Sequence, residues 1–249
     1  MKLGAQFYSI RDNTTTPEDL KKSFEKIKAI GYDIVQMSAI CDIDPYLLKS
    51  YSDEFRLPIT CSHSPFDRII NDTDDLIKEH LIYNCPTIGI GSMPPEYRGE
   101  DGVYKFIELL REPIRKINAA GLCFAYHNHA FEFEKVDGKL IFDILIDELP
   151  QLNFILDTYW VKYAGYDYLE YIKKIGAERL KNVHFKDMKS EPQGEICPCG
   201  EGVIDFSPVI RLCDELGIVN ALVEQDNAPD SGDSINQMKI SYDNLKAQF

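Results

Sequence analysis

The chain lacks any apolar run that approaches the length of a membrane span. A transmembrane helix needs about 20 consecutive apolar residues, and polar or charged residues interrupt every apolar stretch well before that length. The first residues, Met1-Lys2-Leu3-Gly4, lead directly into a strand-like run and do not resemble a signal peptide. We therefore expect a cytoplasmic protein that has no membrane partner.

Positive charge is scarce. The chain has 27 Lys and Arg against 41 Asp and Glu, so its formal net charge is −14 and its pI is near 4.8. An acidic surface repels nucleic-acid phosphates and anionic lipid headgroups. This composition argues against a nucleic-acid partner and leaves small molecules as the expected ligands.

The seven cysteines do not have the pattern of a disulfide framework. Their number is odd, and most lie in apolar segments, where free cysteine behaves as a small buried hydrophobe. The only close pair is Cys197-Pro198-Cys199, in a loop-like stretch. Two thiols do not fill a tetrahedral zinc site, so a pair of loop thiols is expected; soft-metal binding and redox cycling stay open as alternatives.

No linker or change of composition divides the 249 residues, so residues 1–249 are predicted to form one domain. Short apolar runs alternate with segments of helical period, which is typical of repeated βα units. The predicted strands are Leu3–Tyr8, Ile34–Met37, Ile59–His63, Thr87–Gly91, Leu122–His127, Phe154–Asp157, Asn182–Phe185 and Ala221–Val223. The predicted helices are Pro17–Ile30, one beginning near Asp44-Pro45, Asp72–Tyr83, Gly102–Ala120, Leu140–Glu148, Tyr166–Ile175, Ser207–Leu216 and Ser231–Lys246. Eight of each predict an α/β fold, a closed (β/α)8 TIM barrel.

Two irregular stretches interrupt this alternation. Phe131–Leu140 alternates apolar and polar residues around Asp137-Gly138, which predicts a small hairpin. Met188–Gly202 is rich in Pro and Gly. Both follow predicted strands, and the loops that follow barrel strands carry function, so both are candidate lids.

Four apolar runs in the second half of the chain end on a metal-binding residue type. These residues are His127, Asp157, His184 and Glu224. One such residue is more often just the start of a loop, but several in successive strands favour a shared site, because barrel strands end at one common mouth. Imidazole and carboxylate ligands suit Mn²⁺, Mg²⁺, Co²⁺, Fe²⁺ or Zn²⁺.

Several short motifs carry a resemblance to a known family. The chain resembles the sugar phosphate isomerase/epimerase superfamily, the xylose isomerase-like barrels that include endonuclease-IV-type enzymes and inosose dehydratase. The matching stretches span nearly the whole chain: Leu3–Asp12, Gly31–Val35, Tyr126–His129, Leu156–Thr158, Val183–Asp187, Gly200–Asp205 and Val223–Asp226.

The resemblance implies a divalent ion, often Mn²⁺, held by a carboxylate, an Asp, a His and a Glu from strands five to eight. Asp157, His184 and Glu224 match the last three positions. At the first position this chain departs from the family, because many members have Glu where it has His127. Either His127 takes that place or Glu132 reaches in from the predicted hairpin. A neutral imidazole in place of the carboxylate would make the net charge of the site one unit more positive, which would strengthen the ion as a Lewis acid.

The same departure bears on the reaction. Two-base epimerases of the family use the glutamates of strands five and eight on opposite faces of a sugar carbon, and only Glu224 is matched here. One-base isomerisation fits the remaining groups, as does β-elimination with Glu224 or Glu132 as base and a histidine such as His127 as acid.

The leading prediction is a metal-dependent isomerase or epimerase of a small sugar, keto-sugar or polyol. A lyase or dehydratase of inosose or 3-keto-glycoside type comes second. An inactive sugar-binding barrel and a DNA-repair enzyme are distant alternatives.

Five further residues are candidates for substrate binding. His63 resembles a family position that contacts substrate or a further metal, and it could equally be a hydrogen-bonded loop histidine. His129 lies two residues beyond His127 and could bind substrate hydroxyls or only orient the loop. Trp160 offers an aromatic face to a sugar or serves only in packing. Lys186 and Arg11 are candidate partners of a substrate oxyanion. Barrels of this family are often dimers or tetramers, which leaves a homo-oligomer open.

Overall fold

Eight parallel strands close on themselves as a barrel, which confirms the predicted (β/α)8 TIM barrel. The structure is a computed structural model that describes residues 1–249, apart from the side chain of Glu100. The first four barrel strands are β1 (Lys2–Gln6), β2 (Ile34–Met37), β3 (Ile59–His63) and β4 (Thr87–Ile90). The other four are β5 (Cys123–His127), β8 (Asn153–Asp157), β9 (Leu180–Phe185) and β12 (Asn220–Val223). They neighbour one another in that order, and β12 pairs with β1.

Two small antiparallel pairs lie outside the barrel. In the first, β6 (Lys135–Val136) pairs with β7 (Lys139–Leu140) around Asp137 and Gly138, which have φ of 51° and 80°. These positive values are those of the tight turn that an Asp-Gly pair favours, so the predicted hairpin is present. It is shorter than predicted, because Phe131–Phe133 forms a 3-10 turn. In the second pair, β10 (Asp187–Met188) joins β11 (Ile196–Cys197) within the other irregular stretch.

Ten α-helices surround the barrel over the described residues, two more than predicted. They are α1 (Pro17–Ile30), α2 (Pro45–Phe55), α3 (Phe66–Asn71), α4 (Thr73–Ile82), α5 (Glu100–Ala119), α6 (Ile141–Glu148), α7 (Thr158–Tyr163), α8 (Tyr168–Ile175), α9 (Ser207–Leu216) and α10 (Ser234–Leu245). The unpredicted helices α3 and α7 have six residues each. So short a segment cannot show a helical repeat of apolar residues, which is why the sequence did not reveal them.

Local side-chain contacts explain the remaining differences at element ends. Strand β1 stops at Gln6, because the Gln6 side chain accepts a hydrogen bond from the Tyr8 amide and the chain turns into a 3-10 segment, Phe7–Asn13. Helix α10 begins at Ser234 instead of Ser231, because Asp233 caps it by accepting from the Asn236 amide. The predicted bounds of α1 are those observed, with Thr16 as its cap.

The period-two alternation of strands orients the site. Cys61, Ala125 and Ile155 form a buried cluster and are the third residues of β3, β5 and β8. The residues two positions later on these strands are His63, His127 and Asp157, so their side chains project in the same direction, toward the mouth of the barrel. Among the described residues, no helix combines the length and the apolar character needed to cross a membrane.

Candidate metal centre and adjoining cavity

Four buried side chains meet at the carboxyl ends of the barrel strands. His127, Asp157, His184 and Glu224 each place one nitrogen or oxygen ligand atom within 4.8 Å of the others. His127 and Asp157 end β5 and β8, His184 is the penultimate residue of β9, and Glu224 follows β12. The predicted convergence of these four residues is therefore observed, and the group could hold a metal ion.

Each imidazole of the cluster has one nitrogen against a carbonyl oxygen and the other toward the carboxylates. In His127, Nδ1 lies 2.9 Å from the Gly91 carbonyl oxygen, and Nε2 lies 3.4 Å from Asp157 Oδ2. In His184, Nε2 lies 2.8 Å from Gln36 Oε1, and Nδ1 lies 2.8 Å from Glu224 Oε2. A carbonyl oxygen accepts a hydrogen bond from a ring N–H, so both contacts orient the imidazoles with their second nitrogen toward the centre, as in protein metal sites.

The two carboxylates are oriented in the same way. Asp157 Oδ1 accepts a hydrogen bond of 3.0 Å from the Trp160 amide at the start of α7. Glu224 Oε1 accepts one of 3.1 Å from Gln6 Nε2. These contacts leave Asp157 Oδ2 and Glu224 Oε2 facing the centre of the cluster.

Lys186 lies closer to this centre than the sequence suggested. Its Nζ is 3.0 Å from Asp157 Oδ2, 2.9 Å from Glu224 Oε2 and 3.1 Å from Asp226 Oδ1. Burial would lower the pKa of Lys186, but the carboxylates of Asp157, Asp226 and Glu224 outweigh it and hold the pKa well above its ordinary value. Burial likewise raises the pKa of Glu224, yet Lys186 and His184 bring it well below the usual range. The Lys186 ammonium and the Glu224 carboxylate thus stabilise each other in their charged forms.

The charges of this pocket fit a divalent cation. Three carboxylates, those of Asp157, Glu224 and Asp226, face the single ammonium of Lys186, so acidic groups outnumber this ammonium in the pocket. Uncompensated charge in a buried site is costly, and two imidazole nitrogens with carboxylate oxygens suit Mn²⁺, Fe²⁺, Co²⁺ or Zn²⁺. The donor set and the charge balance therefore both fit a bound divalent ion.

Glu132, the alternative to His127, points elsewhere. Its Oε1 accepts the hydroxyl proton of Tyr126, and its Oε2 accepts a hydrogen bond of 2.8 Å from the His129 amide. Burial raises the pKa of Glu132 to about 7, against hydrogen bonds from Tyr126 and His129 that lower it. The structure thus brings His127 into the cluster and uses Glu132 to hold the backbone at His129.

A cavity of about 320 Å³ opens above the cluster. His63, His129 and Lys186 line it together with His127, Glu224 and Asp226. Within the described part of the chain, His63 Nε2, His129 Nδ1 and Trp160 Nε1 are buried without a hydrogen-bond partner. Burial is the largest cause that lowers the pKa of His63 and of His129 well below the ordinary value. Neutral imidazoles with a free nitrogen can bind substrate hydroxyls.

Two of the five candidate substrate residues sit beside this cavity and do not line it. The centroid of the Trp160 ring lies 5.2 Å from the centroid of the His129 ring and 5.3 Å from Lys186 Nζ. Arg11 Nη1 donates to the carbonyl oxygens of Tyr8 and Asp226, at 2.8 and 3.0 Å. Arg11 therefore ties together two backbone segments of the cavity wall.

The amides that support the ligands were not predicted from the sequence. Gln6 and Gln36 are fully buried and contact Glu224 and His184, and Asn128 Oδ1 accepts a hydrogen bond from the Asp157 amide. A usable signal was present, since Gln6 and Gln36 are polar residues inside short apolar strands. Asp226 was also missed as a partner of Lys186, although it lies two residues beyond Glu224.

Comparison with known proteins identifies the family. A family profile described as xylose isomerase-like TIM barrel matches residues 24–241, most of the chain. An inosose dehydratase from Clostridium perfringens is 28% identical in an alignment 141 residues long, and the match covers 46% of this chain and 46% of that protein. The matched region thus spans about half the length of that curated relative.

Solved structures share the fold at low sequence identity. A sugar phosphate isomerase/epimerase from Parabacteroides distasonis superposes with a TM-score of 0.80 at 21% identity, covering 99% of this chain and 94% of that one. A D-allulose 3-epimerase from a Methylomonas species gives 0.75 at 13% identity, covering 100% and 98%. A probable 3-DHS dehydratase from Bacillus anthracis gives 0.71 at 13% identity, covering 96% and 98%.

Proposed function

The chain belongs to the xylose isomerase-like TIM barrel family, and from that premise we propose that it is a divalent-metal-dependent isomerase or epimerase of a small sugar, keto-sugar or polyol. One observation carries the proposal: a buried His127–Asp157–His184–Glu224 cluster faces a cavity lined by unpartnered imidazole nitrogens. The cavity, about 320 Å³, is at the lower end of the range for small-molecule sites. Mn²⁺ is the ion we propose.

The residues around the cluster support proton transfer next to a carbonyl. A bound divalent cation supplies Lewis acidity toward a substrate carbonyl. Glu224 is charged and lines the cavity, so its carboxylate is the group we assign to removing the carbon-bound proton. Lys186 and His129 face the same cavity: the Lys186 ammonium can return a proton, and the neutral His129 imidazole can hold a substrate hydroxyl. His63 lines the cavity and is assigned to substrate contact, while Trp160 packs behind His129 and Lys186.

A dehydratase is the second candidate, and the position of Glu132 favours it. In a two-base epimerase a second carboxylate acts from the opposite face of the substrate carbon, but Glu132 is occupied by Tyr126 and His129. Elimination needs one base and one acid: Glu224 would take the proton next to the carbonyl, and the Lys186 ammonium would protonate the departing hydroxyl, which leaves as water. The similarity to inosose dehydratase over part of the chain agrees with this chemistry.

A substrate screen with isotopic labelling tests both candidates. We would incubate the Mn²⁺-loaded protein in deuterated water with ketoses, inososes and 3-keto-glucosides, and read product mass and label position. Isomerisation or epimerisation puts deuterium on carbon without loss of water, whereas dehydration lowers the mass by one water. We expect Asp157→Asn to lose bound metal and Glu224→Gln to lower turnover at least 100-fold. The control Glu201→Gln, at an exposed loop carboxylate, should leave both unchanged.

The result that contradicts the proposal is a protein that retains no divalent metal after reconstitution and exchanges no label with any of these substrates. If Glu224→Gln still binds the ligand and the wild type shows no turnover, an inactive sugar-binding barrel would be favoured instead.

A cytoplasmic location and a homo-oligomer, both expected from the sequence, also stay proposals. Fractionation of the source cells and size-exclusion chromatography of the purified chain would decide them.

A further inference from the structure

The ammonium of Lys186 uses the same oxygen atoms that a metal ion in the cluster would use. Asp157 Oδ2 and Glu224 Oε2 are the carboxylate atoms that face the imidazole nitrogens of His127 and His184. Lys186 Nζ contacts these two oxygens at 3.0 and 2.9 Å. A cation in the cluster and the ammonium in its present position would therefore compete for the same two ligand atoms.

A third carboxylate offers the ammonium another place. Asp226 lies on the rim of the cavity, with 28% of its side chain exposed, whereas the side chain of Lys186 is 1% exposed. Asp226 Oδ1 and Oδ2 are both 3.1 Å from Lys186 Nζ. Asp226 is not one of the four cluster residues. Lys186 can therefore keep its contact with Asp226 while a metal ion occupies the oxygens of Asp157 and Glu224.

We propose that Lys186 is the internal counter-ion of the cluster, and that a divalent cation binds by displacing its ammonium from Asp157 and Glu224 onto Asp226. This inference rests on the metal binding contained in the proposed function. Two cations that share carboxylate oxygens at such short range repel each other strongly in a buried pocket. The ammonium must therefore move when the ion enters.

The surroundings of Lys186 restrict this movement to its side chain. Thr158 Oγ1 lies 3.3 Å from the Lys186 amide nitrogen and 3.1 Å from the Lys186 carbonyl oxygen, which fixes the backbone. The four-carbon stem is flexible, and the face of the Trp160 ring, 5.3 Å from Nζ, lies beside its path. The displaced ammonium stays in the cavity, where it can meet a substrate oxygen.

The affinity for Mn²⁺ tests the competition. We would measure Mn²⁺ binding by isothermal titration calorimetry to the metal-free protein and to its Lys186→Met variant, which keeps the length of the side chain and removes its charge. We expect Lys186→Met to bind Mn²⁺ at least tenfold more tightly than the wild type. The control Lys189→Met removes the same charge from an exposed lysine that pairs with Glu195, and it should leave the affinity unchanged.

A double-mutant cycle separates displacement onto Asp226 from a simple charge effect. If Asp226 receives the ammonium, Asp226→Asn should weaken Mn²⁺ binding at least fivefold when Lys186 is present and less than twofold in the Lys186→Met background. If Asp226 only adds negative charge to the pocket, the loss is equal in both backgrounds. Equal losses would overturn the proposed role of Asp226.

Thermal unfolding provides a second readout. Lys186→Met leaves the carboxylates of Asp157 and Glu224 uncompensated, so its metal-free form should melt at a lower temperature, and Mn²⁺ should raise its melting temperature more than that of the wild type. Lys186→Gln serves if Lys186→Met does not fold. If the wild type binds Mn²⁺ and the Lys186 variants bind it with the same or a lower affinity, this inference is overturned and the proposed function stays intact. No Mn²⁺ binding by any of the proteins overturns both, and binding by the variants alone supports the inference.

Discussion

At the scale of single residues, the geometry of the cluster depends on groups one contact away from the ligands. Gln36 is fully buried and places its carbonyl oxygen 2.8 Å from His184 Nε2. In this contact Nε2 donates to the Gln36 carbonyl oxygen, which leaves Nδ1, on the side of Glu224 Oε2, as the ring nitrogen available to a metal ion. The backbone carbonyl of Gly91 orients His127 in the same way, and no side-chain substitution removes this contact.

Replacement of Gln36 should therefore weaken metal binding through His184. We expect Gln36→Leu to lower Mn²⁺ affinity about 10- to 100-fold, the usual cost of losing such a supporting partner. Calorimetric titration of the metal-free protein measures this, with Gln193→Leu, at an exposed glutamine, as the control. An affinity that stays within threefold of the wild type would show that Gln36 does not orient His184.

The contacts of single residues were also the hardest to predict. The ligand types and their places at strand ends were readable, because each follows an apolar run. The contact of Lys186 with Asp157 and Glu224 was not, because those carboxylates belong to two other strands and only the closed barrel brings them to its ammonium. Alternation placed Lys186 on the side of His184, but it does not give distances across the barrel.

At the scale of elements, the 3-10 turn Phe131–Phe133 links the hairpin to the site. It carries Glu132 under the hairpin, where the carboxylate binds the Tyr126 hydroxyl and the His129 amide. Arg98 lies over the Phe131 ring at 3.9 Å and covers the turn from outside. The turn thus positions His129 over the cavity, and it differs from the extended strand that the alternating sequence indicated.

This arrangement separates the roles of Glu132 and His127. Glu132→Gln preserves the shape of a side chain that is already partly protonated near neutral pH, since burial raises its pKa to about 7. We expect Glu132→Gln to keep Mn²⁺ affinity within threefold of the wild type, whereas His127→Gln should lower it at least tenfold. The same calorimetric titration compares the two variants. A loss in Glu132→Gln as large as that in His127→Gln would mean that Glu132, and not the turn alone, reaches the metal.

At the scale of the whole molecule, the barrel was predictable because its signals repeat. Eight apolar runs, each followed by a helical pattern, point to one architecture, so an error at any single boundary does not change the fold. The common mouth follows from the parallel order of the strands, which made the convergence of the metal-binding residue types predictable. The helices α3 and α7, by contrast, are each confined to a single place in the chain and depend on local contacts, such as the Asp157 cap of α7.

Stability against acid depends in part on a buried histidine outside the four-residue cluster. His80, in α4, is buried with Nε2 2.7 Å from Ser62 Oγ and Nδ1 2.7 Å from the Leu76 carbonyl oxygen. Burial lowers its pKa from 6.5 to about 4. Because the unfolded chain takes up this proton at a higher pH than the folded one, the contribution of His80 to stability is complete above about pH 6.5 and is lost as the pH falls toward 4.

We therefore expect the stability advantage of the wild type over His80→Gln to shrink by about 3 kcal/mol between pH 7 and pH 4, the free energy that such a shift represents. Urea unfolding at several pH values measures it. Glu132→Gln is the matched control of opposite sign: the raised pKa of Glu132 means that the folded state holds the proton longer, so the wild-type advantage falls as the pH rises from about 4.5 to about 7. If the difference between wild type and His80→Gln is the same at every pH, His80 titrates alike in both states, and the acid sensitivity of the protein must come from the carboxylates of the cluster.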